Sequence, residues 1–152
     1  SLIQDYIILT EFNSINEDLI KIVDHKEDLE DEKCKIFLIP AQNKEMLINQ
    51  NINLFVNTCS FQEMPIKETH SYIDIAQSNG SYLYSCNREE KKMYDNTIIK
   101  YRDYGLNKKG TVIFENVANY RKYSMDGKFP FIHKKSKFIH SLIKFDEKNL
   151  TL

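Results

Sequence analysis

The side chains best suited to chemistry gather in two short segments. Asn57, Ser60, Gln62 and Glu63 lie in Leu54-Phe55-Val56-Asn57-Thr58-Cys59-Ser60-Phe61-Gln62-Glu63-Met64. The run begins as a strand and ends in a loop before a helix. A carboxylate placed beside polar neighbours at a strand end is where a general base works, so Glu63 is the candidate base. At the start of a helix the same carboxylate also favours the macrodipole, with no substrate needed. His70, seven residues on, falls two turns along that helix and could face the same way, or serve in the surface or core. Asn57 and Ser60 can bind a ligand or cap the helix. Asn87 and Arg88 close a later strand, where they could hold a polar group such as a phosphate. An ion pair within the fold is the competing role for Arg88.

The elements that must position these residues alternate in type. Tyr6-Ile7-Ile8-Leu9 reads as a buried strand, being a short continuous apolar run. Asn13-Ser14 offers a helix cap, with Glu17 as capping-box partner and Leu19, Ile20, Ile22 and Val23 as the apolar side. Residues 35–39 form the next strand, stopped by Pro40. Met46, Leu47 and Ile48 suggest a short helix, and 52–57 a third strand. Pro65 suits the first turn of a helix whose face carries Ile66, Thr69, Ile73 and Ala76 and which Gly80 closes. Residues 81–86 are a fourth strand. Such alternation indicates βαβ units and a parallel sheet. Longer strands at 110–115 and 137–145 follow, flanking a loop with Asp126-Gly127 and Phe129-Pro130, and at least one should run antiparallel at the far end of the sheet.

Length and composition suit one domain over 1–152. Hydrophobic residues are 41 % and charged residues 28 % of 152, which excludes collagen-like, mucin-like and disordered classes. There is no apolar run of membrane-spanning length and no secretion-signal pattern at the start. Net charge is −1 but unevenly spread, −8 over residues 1–86 and +7 over 87–152. Such asymmetry can mark a nucleic-acid surface, or two halves that neutralise each other or a second copy. The cysteines, Cys34, Cys59 and Cys86, form no CxxC pair, and His25, His70, His133 and His140 show no ligand spacing, so no metal site is indicated. Free cysteines in apolar surroundings suit a reducing, cytoplasmic setting.

The 54–64 run resembles the N-x-x-S-F-Q-E-M motif of a family of sugar O-methyltransferases dependent on S-adenosylmethionine. Tyr82-Leu83-Tyr84-Ser85-Cys86-Asn87-Arg88 is similar to that family's Y-x-Y-x-x-N-R segment, and Ile99-Lys100-Tyr101-Arg102-Asp103-Tyr104 continues the likeness, which spans residues 6–147. The resemblance implies an α/β fold: a partial Rossmann-like methyltransferase sheet, mostly parallel with an antiparallel C-terminal edge. It implies that Glu63 and His70 do acid–base work, that Gln62, Asn87 and Arg88 contact a sugar or glycan, and that Glu11, Asn57 and Ser60 contact the cofactor. Glu11 holds the place of an acidic partner for the cofactor ribose.

The chain departs from the family in one respect. All four glycines lie at position 80 or later, so the first strand and glycine-rich loop that would cradle the cofactor are lacking. Two central strands would then face each other or stay unpaired, which calls for a rearranged or split sheet, or completion by another chain: a homo-oligomer or a missing N-terminal segment. The resemblance therefore implies a truncated, substrate-side domain that is inactive alone, or active only with a partner that supplies the missing element. The alternatives are a non-catalytic α/β interaction domain and a nucleic-acid binder stacking bases on Tyr94, Tyr101, Tyr104, Tyr120 and Tyr123. No membrane association is expected.

Overall fold

A computed structural model of the chain describes residues 2–118, 124–125, 133–134 and 137–146. The protein is mixed α/β and divides into two compact units, Ser1–Leu47 and Ile48–Leu152.

The first unit opens with a helix, not a strand. Helix α1 spans Leu2–Ile7 and continues as a wider helical turn over Ile8–Phe12. Ile7 and Ile8 are exposed, so the Tyr6–Leu9 run lacks the burial that would make it a core strand. Thr10 bonds back to the Tyr6 carbonyl at 3.0 Å and Asn13 closes the turn on the Ile8 carbonyl. Short apolar runs carry no periodicity that separates the two outcomes. The helix expected after Ser14 is also absent. Ser14 takes a left-handed φ of 53°, and Asn16 caps a single 3₁₀ turn, Glu17–Leu19. Strand β1, Ile20–Ile22, follows and pairs in parallel with β2, Ile36–Leu38. β-Branched residues at alternate positions fit an extended chain better than a helix. Ile20 and Val23 are the buried residues of this unit among the described ones. A 3₁₀ segment, Ala41–Leu47, stands where a short helix was expected.

The second unit holds a four-stranded sheet. Strand β3 is Leu54–Thr58; helix α2 is Ile66–Ser78; strand β4 is Tyr82–Arg88. A hairpin of β5, Glu90–Lys92, and β6, Ile98–Lys100, leads through a 3₁₀ turn at Tyr101–Tyr104 to the short helix α3, Leu106–Lys109. Strand β7 is Thr111–Val117; the two-residue strands β8, Ser124–Met125, and β9, His133–Lys134, pair with each other; β10 is Phe138–Lys144. The sheet order is β3-β4-β10-β7. β3 and β4 are parallel, and β10 runs antiparallel to both β4 and β7. Three strands thus share one direction. The reversed strand, expected at an edge, lies inside the sheet, and β7 is the edge. The loop with Asp126-Gly127 and Phe129-Pro130 lies outside the described residues.

Pro65 directly precedes α2 at φ −56° and ψ 144°, one position outside the first turn. Its extended ψ sets the entry angle. Thr69, Ile73 and Ala76 are fully buried along one face of α2, and Ile73 and Ala76 pack in a cluster with Phe61, Leu83, Ile143, Tyr104 and Phe145. Asn79 ends the helix, its amide bonding the Ile75 carbonyl at 2.9 Å while its side-chain oxygen receives the Gln50 N–H at 2.8 Å. Gly80 then takes φ 57°, a conformation that costs a glycine little. Among the described residues no helix is long and apolar enough to cross a membrane.

Candidate functional site

Strands β3 and β4 deliver both resembling segments to the same place. Their register sets Asn57 opposite Ser85 and Thr58 opposite Cys86, so both carboxyl ends reach the edge where open α/β sheets bind ligands. Beyond β3 the chain turns sharply. Cys59 adopts φ 65°, rare for a residue with a Cβ, and a 3₁₀ turn forms at Phe61–Glu63.

Most of the polar atoms here are engaged with one another. Asn87 is fully buried. Its amide donates to Asn57 Oδ1 at 2.8 Å and to Ser85 Oγ at 3.0 Å, and its oxygen accepts the Gln62 backbone N–H at 3.3 Å. The Asn57 amide donates to Ser60 Oγ, and Asn57 Oδ1 also accepts from the Phe61 N–H at 3.4 Å. Gln62 reaches back, its Oε1 accepting the Arg88 N–H at 2.8 Å. Thr69 donates to the Phe61 carbonyl at 3.4 Å. Asn57, Gln62 and Asn87 are thus buried residues whose hydrogen bonds fasten the β3 loop to β4. Buried polar groups demand such partners.

The charged groups lie at the rim. Glu63 is half exposed, and both its oxygens accept from Lys91 Nζ, at 2.7 and 2.9 Å. The Lys91 ammonium, with help from the Gln62 amide and the nearby Arg88, holds the Glu63 carboxyl below the usual carboxylate range against the opposing effect of burial. A carboxylate so stabilised is a weak base. Arg88 places its guanidinium 5.6 Å from the centre of the Phe138 ring. Its Nε is buried with no hydrogen-bond partner among the described residues.

His70 and Glu63 do not share a helix. Glu63 belongs to the 3₁₀ turn, Met64 and Pro65 are extended, and α2 starts at Ile66. The premise that they lie two turns apart on one face therefore fails. His70 Nε2 lies 3.1 Å from the Asp103 carbonyl, so that nitrogen carries the proton and ties α2 to the 101–104 turn. Glu11 stands exposed in the helical turn after α1, not after a strand; it belongs to the first unit.

Lys91, Ser85 and Thr69 were missed from sequence. Ser85 had a signal, lying two residues before Asn87 and so on the same strand face. Lys91 had none, since only the hairpin turns it back to Glu63. Beyond Arg88 a half-open groove of about 740 Å³ begins at Glu89 and Glu90 and is lined further by Tyr101, Arg102, Lys108 and Glu115. Behind it the Tyr101 hydroxyl meets Ser141 Oγ at 2.5 Å, and burial pushes the Tyr101 phenol up. Tyr101 and Tyr104 are buried in the core while Tyr94 is fully exposed; Tyr120 and Tyr123 lie outside the described residues. No cluster of three or more metal-ligating side chains occurs among the described residues. No protein-family model matches the chain, and no curated protein does.

Proposed function

We propose that the chain is the acceptor side of a sugar O-methyltransferase-like domain, one that contributes a substrate surface and does not supply the methyl donor by itself. One observation carries the reading: the two segments that resemble that family knit into a single buried network at the carboxyl ends of two parallel strands. Asn57, Gln62 and Asn87 act in it as positioning residues, holding the loop that presents Glu63 to Lys91 and Arg88. A sugar or glycan would lie along the adjoining groove, where Glu115 and Arg102 offer hydroxyl partners.

The residues assigned to S-adenosylmethionine do not fit that group. Asn57 is buried with its amide and oxygen engaged, Ser60 is bonded to it, and the first unit contains no glycine at which backbone could approach a nucleoside. Glu63, paired with Lys91, orients a hydroxyl better than it removes a proton. The test is calorimetric titration with S-adenosylmethionine and, separately, with neutral oligosaccharides. Saccharide binding without cofactor binding supports the reading. Micromolar cofactor binding, or methyl transfer by the isolated chain, overturns it.

A non-catalytic interaction domain is the second reading. It is favoured by the sheet face opposite α2, where Leu54, Val56 and Tyr82 are 50 %, 63 % and 41 % exposed. Neither saccharide nor cofactor binding, together with a solution mass above that of one chain, favours this reading over the first.

A further inference from the structure

We propose that the free edge of β3 pairs with β3 of a second copy of the chain, antiparallel about a two-fold axis, so that the two four-stranded sheets join into one. This pairing involves the strand edge alone and holds whether or not a saccharide binds.

Two hydrogen bonds bracket β3 and fix which way its backbone points. The Tyr82 N–H donates to the Asn53 carbonyl at 2.9 Å, and the Cys59 N–H donates to the Cys86 carbonyl at 2.8 Å. Between them β3 and β4 keep an unbroken parallel register. Backbone groups alternate sides along a strand, so Asn53, Phe55, Asn57 and Cys59 turn theirs toward β4. Leu54, Val56 and Thr58 turn their N–H and C=O groups outward, where β3 ends the sheet with no neighbouring strand among the described residues.

That edge lacks the devices that keep edges from pairing. Such edges are normally blunted by charges, proline or a bulge. Residues 46–62 contain no charged side chain and no proline, and the register of β3 has no irregularity. The opposite edge differs: β7 carries Glu115, and its register with β10 shifts between Leu142 and Ile143. β3 also has the composition of an inner parallel strand, apolar on both faces. Phe55 packs against the core cluster, while Leu54 and Val56 stand exposed on the other face.

A second copy suits this edge because the strand is neutral. Two-fold pairing sets the strand against itself, which a charged strand resists by placing like charges opposite each other. Centred on Val56, the register faces Val56 with the partner's Val56 and Leu54 with the partner's Thr58. Each facing pair exchanges two N–H···O bonds, so every outward group of β3 is engaged. The exposed Leu54 and Val56 side chains gain cross-strand neighbours.

The experiment measures the solution mass of the full chain by light scattering over a dilution series, with amide hydrogen exchange followed residue by residue. The expected mass is twice 18.0 kDa. The Leu54, Val56 and Thr58 amides should exchange slowly in the dimer and faster on dilution, while Phe55 and Asn57, bonded to β4, stay slow throughout. Val56→Lys should halve the mass, since it sets two ammonium groups opposite each other. Val117→Lys, on the exposed β7 edge, should leave the dimer intact. A single-chain mass at every concentration, fast exchange at Leu54, Val56 and Thr58 within a dimer, a dimer that survives Val56→Lys or is lost with Val117→Lys, or assemblies beyond two chains overturn the proposal. The wild-type mass and exchange pattern decide the matter even if a variant fails to fold.

Discussion

Replacing Asn87 with alanine should unfasten the loop after β3 from the sheet. Asn87 is fully buried and makes three hydrogen bonds there, to Asn57, Ser85 and the Gln62 backbone. The substitution leaves the Gln62 N–H buried and unpaired, which costs about 1–3 kcal/mol, and removes two further bonds of about 0.5–1.5 kcal/mol each. Asn57 Oδ1 retains only the long bond from Phe61. The sum is about 2–6 kcal/mol, a melting-point fall on the order of 10–30 °C for a unit of this size. Urea unfolding followed by tyrosine fluorescence suits the measurement. There is no tryptophan, and every tyrosine except Tyr6 lies in the second unit. Ser60→Ala serves as the contrast, since Ser60 is partly exposed and accepts one bond; it should cost about 0.5–1.5 kcal/mol. A loss below about 0.5 kcal/mol for Asn87→Ala, or equal losses for the two variants, would refute the claim that Asn87 is the centre of the network.

Three other outcomes are expected. Lys91→Met should cost at most about 1 kcal/mol near neutral pH, because Glu63 is half exposed. The folded-state Glu63 pKa is depressed, so the stabilisation is present above the unfolded carboxyl value and vanishes as pH falls through the folded one. The wild-type and variant stability curves should converge in acid, and parallel curves would contradict the pairing. Gly110→Ala should destabilise by about 1–3 kcal/mol in thermal melts, since an added Cβ would sit 2.6 Å from the Lys144 carbonyl oxygen and 2.7 Å from Phe145 Cδ1. Finally, burial raises the Tyr104 and Tyr101 phenols. The folded state then keeps protons that the unfolded state releases above about pH 10, so stability should fall as pH rises past that point. Tyrosinate absorbance should show these two groups ionising only with unfolding.

The second unit was largely legible in the sequence. The helix with the face Ile66, Thr69, Ile73 and Ala76 and the strands near 54, 82, 111 and 138 all form where the sequence carries its apolar runs. The first unit was not, because Tyr6–Leu9 and Leu19–Val23 are too short to separate helix from strand. There exposure and the pairing of β1 with β2 decided the outcome. The interior place of β10 was also invisible, since strand order depends on which edges meet in space.

For the site, sequence alone determined that Asn57, Gln62, Glu63, Asn87 and Arg88 converge at two strand ends, because strand direction and spacing bring them there. Only the tertiary structure decided what they do on arrival. Asn57, Gln62 and Asn87 turn inward because buried donors and acceptors must find partners, Lys91 returns through a hairpin to neutralise Glu63, and a left-handed turn at Cys59 brings its side chain into the cluster that holds Cys86. Residue type and position set the available chemistry, while burial and long-range contact set which atoms remain free to use it.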